Sequence, residues 1–479
     1  MTDTTDINSA VLSIETGLIL LAILSVAWVG LGIFWGRKAK DLDGFMLAGR
    51  NVGLALGAAT AMATWVTSNT IMLAPKFALQ MGIWGMLAYS TASFGLLLFA
   101  PMAERIRSLM PHGYTSGDFI RLRYGRFAWV LFLIISLVYS LGWLVSMAMA
   151  GGIMLEALAG IPYVMGMSVI VTVCVLYTLF GGLYAVIGTD FVQSIIILVG
   201  VLVVGAVVLF QLDMEAMHTH LLAEQPELLN VLMPVALISL FNNMFFGFGE
   251  IFHNNVWWSR AFAMRRGVAG RAYLRAALFW LPIPVAAGFI GLAAGALGIN
   301  VPDPDMVGPL VASKLVGTVG TALVFIVVFC SLASSIDSLL AATSDLLVQD
   351  VYHKWLKPSA DEAILRRAST AAILILGLIA WALAAPRLGD LIQVLFLSGP
   401  LVASAIWPVL TGLYFKRVGQ TAAAGGMLAG SIVGLFCYFN LGWYTASLIS
   451  AAVSMVVVTL VTALKPTEYE FSRLQEGAI

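Results

Sequence analysis

Residues 325–352 read FIVVFCSLASSIDSLLAATSDLLVQDVY, and this stretch decides the fold. It begins as an ordinary bilayer-crossing helix and then places four serines inside the hydrophobic run. Their spacing of i, i+3, i+4 and i+7 puts all four on one face of a helix. The four are Ser331, Ser334, Ser335 and Ser338.

This polar face has two interpretations. Serines in membrane helices often bond to the carbonyl four residues earlier, or allow neighbouring helices to pack closely. An acidic residue at membrane depth, by contrast, usually marks an ion or substrate path. Asp337 lies beside the serines, and Asp345 continues their face toward one end of the helix. The two acids favour a functional face that contacts an ion or a solute.

The composition indicates an integral membrane protein. Of the 479 residues, 61% are hydrophobic and only 10% are charged. The formal net charge of zero gives no sign of nucleic-acid binding. Cys174, Cys330 and Cys437 all lie in apolar runs, so neither a disulfide framework nor a metal site is expected. The polar first residues lack the features of a signal peptide, which predicts that the first hydrophobic run is retained.

Thirteen hydrophobic runs are long enough to cross a bilayer, at roughly 20 residues each. They fall near 13–35, 52–76, 82–103, 127–158, 163–181, 184–210, 231–259, 273–299, 319–349, 370–386, 390–415, 422–440 and 443–464. If alternate loops are cytoplasmic, those loops hold every basic residue except Lys76, Lys314 and Arg387. This bias predicts an N-terminus outside the cell and a C-terminus inside.

Enzyme classes are not supported by the motifs. The chain lacks a nucleotide-binding P-loop, a Ser-His-Asp arrangement and a zincin helix. The loops are too short for a soluble catalytic domain, and no signalling module is apparent. We therefore expect a transporter or a channel.

Two of the thirteen spans carry residues that interrupt helices. In the second span, the small and hydroxylated run from Ala63 to Ser68 is the predicted site of unwinding. In the seventh, Gly247 and Gly249 lie beside Glu250, and because glycine costs a helix interior about 1 kcal/mol relative to alanine, it is expected where close approach or an opened backbone is useful. Irregular backbone at membrane depth must face protein or a water-filled cavity. The two spans are five apart, as in transporters built from two inverted five-helix repeats around a midplane site.

Several motifs resemble the sodium:solute symporter family. Residues 178–193, TLFGGLYAVIGTDFVQ, resemble its GG-x-x-AV-x-x-TD-x-x-Q signature. Residues 334–340, SSIDSLL, with QDVY at 349–352, resemble the end of the family's corresponding helix, and residues 48–50 match its Gly-Arg entry. The resemblance implies an all-α integral membrane protein with a LeuT-like core of two inverted five-helix repeats, one extra helix before the core and two after.

The implied organisation is one transporter domain over residues 1–479. Its parts are an extra helix at 13–35, a first repeat at 52–210, a second repeat at 231–415, two extra helices at 422–464 and a cytoplasmic tail at 465–479.

The resemblance also implies a sodium site. Its ligands would be the backbone carbonyls of Ala63, Val66 and Ser331 and the hydroxyls of Ser334 and Ser335. This agrees with the chemistry, because a hard cation prefers oxygen ligands. Asp190 matches a family acid tied to cation coupling. It either serves that role here or is a structural acid that bonds loop amides or pairs with a basic residue.

The repeat architecture places the substrate between the second, fourth, seventh and eleventh spans. The candidate residues are Trp65, Thr67, Ser68, Trp143, Asn243, Gly247, Glu250 and Gln393. Residues 248–263 resemble urea-permease-like members more than sugar or proline members. Glu250 suits a substrate with NH donors or a positive charge, or it pairs with a nearby Asn, His253 or Arg260. At Trp65 some family members have an acid, so any coupling role of that acid does not carry over.

Together these features predict a sodium-coupled symporter. It would carry a small polar organic solute (urea-like, an amine or an amino acid) into the cell by alternating access, with Na+ as the coupling ion. The expected partners are the small-molecule substrate and the lipid bilayer of the plasma membrane, with no nucleic acid and no obligate protein partner. The alternatives are proton coupling, a carboxylate, proline or sugar substrate, and a facilitative channel.

Overall fold

The computed structural model describes residues 11–299, 301, 303–387 and 389–476, without the side chains of Ser68 and Glu476. The polar N-terminal residues, on which the signal-peptide prediction rests, lie outside these ranges. Within them the regular structure is helical, apart from one isolated bridge between Val52 and Met264. An all-helical architecture is thus confirmed.

The helices follow one another with short connections. They are α1 Ile14–Gly36, α2 Leu42–Leu47, α3 Leu54–Trp65, α4 Ser68–Ser90, α5 Ser93–Leu109, α6 Ser116–Tyr124, α7 Arg126–Ala159, α8 Tyr163–Gln211, α9 Met214–Glu224, α10 Pro234–His253, α11 Asn255–Ala263, α12 Ala269–Trp280, α13 Pro282–Ala296, α14 Val307–Leu346, α15 Glu362–Ala384, α16 Leu391–Leu397, α17 Gly399–Ser404, α18 Ile406–Tyr414, α19 Gln420–Asn440, α20 Trp443–Leu464 and α21 Ser472–Glu476.

Eleven helical segments of the described chain are long and apolar enough to cross a membrane. Three of these, Asn69–Leu109, Tyr163–Gln211 and Pro304–Leu356, contain a sharp backbone turn at Gly82, Gly182 and Gly317, where φ is 64°, 51° and 66°. Glycine adopts such angles without the steric penalty of a side chain. A Cβ at Gly82 would also lie 1.8 Å from the carbonyl oxygen of Leu228. Each kink therefore divides its segment into separate helical parts.

Helix α14, which contains the serines, lies in the centre of the bundle. It packs against α7 and α8 and also contacts α3, α4 and α13. Every residue from Val327 to Leu346 is buried. The helix continues as a π-helix over Leu347–Leu356, a form that is frequent at functional sites. The serine face thus points into protein and not toward lipid.

The second span is broken where the sequence predicts unwinding. Helix α3 ends at Trp65, and Val66 has non-helical angles of φ −80° and ψ 82°. Thr67 is extended and caps α4, because its hydroxyl accepts from the amide of Thr70 while the Thr70 side chain accepts from the Thr67 amide. The cap supplies a hydrogen-bond partner to a backbone amide at the start of α4. The carbonyls at the end of α3 lose the partners that a continuous helix would give them.

The seventh span is broken at a different place from the glycines. Helix α10 stays intact through Gly247 and Gly249, and the break lies at Asn254, where φ is −72° and ψ is 132°. The glycines instead allow close helix contacts. A Cβ at Gly249 would lie 2.6 Å from the backbone of Val402, and one at Gly247 would lie 2.7 Å from the Cα of Ala92. Small size, and not backbone freedom, explains these two glycines.

Polar contacts tie segments together near the loop that joins α1 to α3. Arg50 Nε donates to Asp43 at 3.1 Å, and the Tyr114 hydroxyl donates to the same carboxylate. Burial raises the pKa of Asp43, but the hydrogen bonds from Tyr114 and Arg50 outweigh burial and hold the pKa below its ordinary value. Arg50 also donates to the Gly113 carbonyl at 2.8 Å. These bonds fix the short helix α2 against the loop before α6.

A buried ion cluster joins α4 to two later segments. Lys76 Nζ lies 2.8 Å from Asp305 and 2.9 Å from Asp390. The side chains of Lys76 and Asp305 are each only 4% exposed. Asp305 lies in the turn before α14, and Asp390 caps α16. Lys76 thereby holds together parts of the chain that are far apart in sequence.

We expect Gly249→Ala to lower the thermal stability of the protein, because the added methyl group has no room against α17. Overpacking of this kind costs about 1–3 kcal/mol. Gly30→Ala in α1 is the matched control, since a Cβ there meets no atom within 4 Å. Melting temperatures of both purified variants in one detergent provide the comparison. Equal melting temperatures would contradict the close approach of α10 and α17.

Candidate functional site

Backbone carbonyls and serine hydroxyls meet between the broken second span and α14. The Ser334 hydroxyl lies 3.0 Å from the Ala63 carbonyl oxygen and 3.2 Å from that of Ser331. The Ser335 hydroxyl lies 3.2 Å from the Thr64 carbonyl oxygen and 2.9 Å from that of Ser331. All of these residues are fully buried. We call Ala63, Thr64, Ser331, Ser334 and Ser335 the serine cluster.

The serine cluster depends on the break in the second span. In a continuous helix the carbonyls of residues 63 and 64 would accept from amides four residues later. The non-helical backbone at Val66 and Thr67 removes that option, and two serines of α14 act as donors instead. The cluster offers only oxygen atoms, which hard cations prefer. A hydroxyl can turn its lone pairs toward an ion, so this arrangement is chemically suited to an alkali cation.

Most of the predicted cation ligands come together here. The serine cluster contains Ala63, Ser331, Ser334 and Ser335. Val66 lies in the break itself. The contribution of the Thr64 carbonyl was not predicted, since nothing in the sequence separates it from its neighbours.

A buried charged network lies beside the serine cluster. Arg260 of α11 donates to Asp190 at 3.2 Å, to the Ser338 hydroxyl at 2.5 Å and to the Thr64 hydroxyl at 2.8 Å. The Thr60 hydroxyl donates to the same Asp190 oxygen at 2.5 Å. Asp190 is therefore an ion-pair partner in this structure, which is one of the roles that the sequence left open.

A second acid joins this network through α14. The Tyr177 hydroxyl donates to Asp337 at 2.7 Å, and the Ser338 hydroxyl lies 3.1 Å from the same carboxylate. Ser338 also receives a hydrogen bond from Arg260. The network thus connects α3, α8, α11 and α14, and it shares Thr64 with the serine cluster.

A narrow cavity lies beside the break in the second span. Its volume is ≈ 20 Å³, which holds about one water molecule. No acidic or basic side chain lines it among the described residues. The lining residues are Trp65, Thr67, Asn69, Tyr89, Ala92, Tyr139, Trp143, Asn243, Phe246, Trp280 and Leu395. A solute larger than water can enter only if these walls move apart.

Aromatic rings form the walls of the cavity. The Trp65 ring lies 6.0 Å from Trp143 and 5.8 Å from Trp280, and Tyr139 lies 5.7 Å from Trp143. The Trp280 indole N–H donates to the Trp65 carbonyl at 2.6 Å. Trp65 Nε1 and Asn69 Oδ1 are buried without a hydrogen-bond partner in the described part of the chain. The cavity therefore offers one free donor and one free acceptor between aromatic faces.

The predicted substrate residues divide into two groups. Those that line the cavity are Trp65, Thr67, Trp143 and Asn243. The side chain of Ser68 lies outside the described residues. The other group does not line the cavity. Gly247 packs on Ala92, the Glu250 carboxylate accepts from Trp257 Nε1 at 2.9 Å, and Gln393 is exposed on α16.

Sequence reasoning missed several residues of the cavity. Asn69, Tyr89, Tyr139 and Trp280 come from three different helices. Asn69 stands in a polar run that includes Thr67 and Thr70, and the three aromatic residues stand in largely apolar runs, so no local pattern distinguishes them. Only the packing of α4, α7 and α12 brings them together.

Comparisons with known proteins agree with this architecture. The model of the sodium:solute symporter family matches residues 45–434. The urea-proton symporter DUR3 of Oryza sativa subsp. japonica is 24% identical, over 90% of this chain and 68% of that protein. The osmoregulated proline transporter OpuE of Bacillus subtilis is 25% identical, over 87% of each chain.

A solved structure shows the same fold. The substrate-bound, outward-open state of a Na+-coupled sialic acid symporter superposes with a TM-score of 0.78 at 17% identity, covering 95% of this chain and 99% of that one. The family match covers most of the chain, and the apolar helices indicate a multi-pass protein of the plasma membrane. The chain is a transporter and not an enzyme. It belongs to the sodium:solute symporter family and couples solute uptake to sodium or protons by means of a LeuT-like fold.

Proposed function

We propose that this protein is a sodium-coupled symporter whose coupling ion binds at the serine cluster. The observation that carries the proposal is the meeting of the Ser334 and Ser335 hydroxyls with carbonyls of a broken helix. These oxygens supply neutral ligands in a fully buried place. With Val66 next to them in the break, Ala63, Ser331, Ser334 and Ser335 form the ligand set that the family resemblance implies. Asp190, held by Arg260, is a member of the adjoining network and not a direct ligand.

Sodium in the serine cluster would hold α3 against α14. Because the same residues border the break next to the cavity, the bound ion favours the conformation in which the cavity has its correct shape. Coupling of this kind is reciprocal, so the solute must raise the affinity for sodium by the same factor. Each positive charge that moves inward gains about 2.3 kcal/mol per 100 mV of membrane potential, which drives accumulation of a neutral solute.

The proposed topology has thirteen spans, with the N-terminus outside and the C-terminus inside. The kinks at Gly82 and Gly182 support division of two long segments into separate spans. The breaks at Val66 and Asn254 fall in the second and seventh spans. Corresponding breaks support a single domain with two inverted repeats, at 52–210 and 231–415. One helix precedes the repeats and two follow them.

The proposed solute is small and polar. Its binding does not require a charged side chain in the site. The cavity presents Trp65, Asn69 and Asn243 between aromatic walls and no basic residue. This favours a urea-like solute, an amine or an amide over a carboxylate that relies on a guanidinium partner. The relatives include a urea-proton symporter and a proline transporter, and urea and proline are both small polar solutes.

We expect the double variant Ser334→Ala plus Ser335→Ala to lose stabilisation by sodium. Removing two oxygens from the cation site weakens binding about tenfold or more, at roughly 1 kcal/mol for each lost contact. The measurement is the melting temperature of purified protein over a series of sodium concentrations, with potassium at equal ionic strength. Ser313→Ala is the control, since Ser313 lies on α14, is buried, and its hydroxyl donates to the Leu310 carbonyl of the same helix. A double variant that responds to sodium like the wild type would exclude the serine cluster.

The topology predicts opposite accessibility of two exposed positions. Glu215→Cys should react with a membrane-impermeant maleimide added outside intact cells, and Ser359→Cys only after the membrane is opened. Both positions are exposed, and the native cysteines are buried and give a low background. The reverse pattern of labelling would invert the proposed orientation.

We expect Arg260→Met to destabilise the protein strongly, because it leaves Asp190 buried without its counter-ion. Breaking such a pair costs about 3–5 kcal/mol. Adding Asp190→Asn should recover part of the loss, since the uncompensated charge is removed. Free energies of unfolding for the two single variants and the double variant measure the coupling. Additive losses would show that the two residues do not interact.

A further inference from the structure

Glu250 is a buried acid next to the break in the seventh span. It lies one turn before Asn254 in α10 and is fully buried. Its Oε1 accepts from the indole N–H of Trp257, which lies in α11 beyond the break. Its Oε2 makes no close hydrogen bond among the described residues, and the Tyr139 hydroxyl is a more distant donor to the same carboxylate. The acid thus has one satisfied oxygen and one oxygen without a close partner.

His253 is a second buried acceptor in the same turn. Its Nδ1 lies 2.7 Å from the Gly249 carbonyl oxygen, and a carbonyl can only accept. The Nδ1 atom therefore carries the hydrogen, which leaves Nε2 as the acceptor of a neutral ring. Nε2 is buried and lacks a partner within the described part of the chain. Glu250 Oε2 and His253 Nε2 are therefore two buried acceptors that lack a close donor, and they lie within one turn of helix.

No basic side chain balances Glu250 in the described structure. The ionisable side chains around it are Tyr139 of α7, Tyr89 of α4 and Tyr273 of α12. Arg260, the next arginine along the chain, is paired with Asp190. A buried carboxylate without a cation is unfavourable by several kcal/mol, whereas a carboxylic acid is neutral and supplies the missing donor.

We propose that Glu250 binds a proton that is carried with the solute, and that His253 is the neighbouring acceptor. The step is a simple transfer, in which a hydronium ion on the outer side gives a proton to Glu250 Oε2 and becomes water, and a water molecule on the inner side later receives that proton as hydronium. The inference rests on the proposed symport function and adds a second coupling ion to it. The serine cluster and Glu250 are separate sites on different helices.

The geometry connects this proton site to the solute cavity. Tyr139 lines the cavity, and its ring lies 5.1 Å from the His253 ring. Tyr139 is also an electrostatic neighbour of Glu250. A solute in the cavity would therefore contact Tyr139, which is also a neighbour of Glu250.

The geometry also connects proton binding to movement. The hydrogen bond from Trp257 to Glu250 crosses the break between α10 and α11. A change in the angle between these helices alters that bond and admits water to the acid. The affinity of Glu250 for a proton therefore differs between the conformations, which is the requirement for coupled transport.

Infrared difference spectroscopy tests the proton site without knowledge of the solute. In the full-length wild type at neutral pH we expect a carbonyl band of a protonated carboxylic acid that disappears in Glu250→Gln. Glu156→Gln, a change of a partly exposed acid, is the matched control and should leave the band in place. An unchanged spectrum in Glu250→Gln would overturn the proposal.

Transport in proteoliposomes gives the second test, with radiolabelled urea as the probe and an imposed proton gradient. We expect Glu250→Gln to reduce gradient-driven accumulation at least tenfold, with exchange of urea across the membrane retained. Accumulation equal to that of the wild type would overturn the proposal. Suppose that Glu250→Gln accumulates urea like the wild type and is still stabilised by sodium in the melting assay. The proton proposal then fails, and the proposed sodium site is unaffected. If sodium does not change the melting temperature of the wild type, and the serine double variant melts like the wild type, the proposed sodium coupling fails independently of the proton site.

Discussion

The hydrogen bonds from the α14 serines to the carbonyls of Ala63 and Thr64 make the broken helix possible. In the hydrocarbon layer, water cannot satisfy a carbonyl that has lost its helical partner. The serines replace that partner from a neighbouring helix. The same oxygens are the neutral ligands of the proposed sodium site, so one arrangement would satisfy the backbone and bind the ion.

Thr64 links the two polar regions of the core. Its carbonyl accepts from Ser335, and its hydroxyl accepts from Arg260. A movement of α3 away from α14 therefore disturbs the serine cluster and the Arg260–Asp190 pair together. Lys76 has a comparable place in α4, where it bonds to acids of two later segments.

The aromatic cavity is small because both ends of the break are closely packed. The Trp65 carbonyl accepts from Trp280, while the Trp65 ring forms part of the wall. Rotation of α3 would therefore change the backbone contact and the cavity wall at the same time. On the opposite wall, Tyr139 stands next to His253 and the break of the seventh span. The cavity, which is the proposed solute site, is thus in contact with both broken helices.

Composition and periodicity alone determined the membrane class, the serine face of α14 and the unwinding between Ala63 and Ser68, because these depend on local residue types and spacing. The tertiary structure decided the rest. Gly247 and Gly249 signalled a special position, but a break and a close contact both require a small residue, and only packing against Ala92 and Val402 distinguished them. The partner of Asp190 and the walls of the cavity were likewise undetermined, since one sequence does not reveal which distant helices touch.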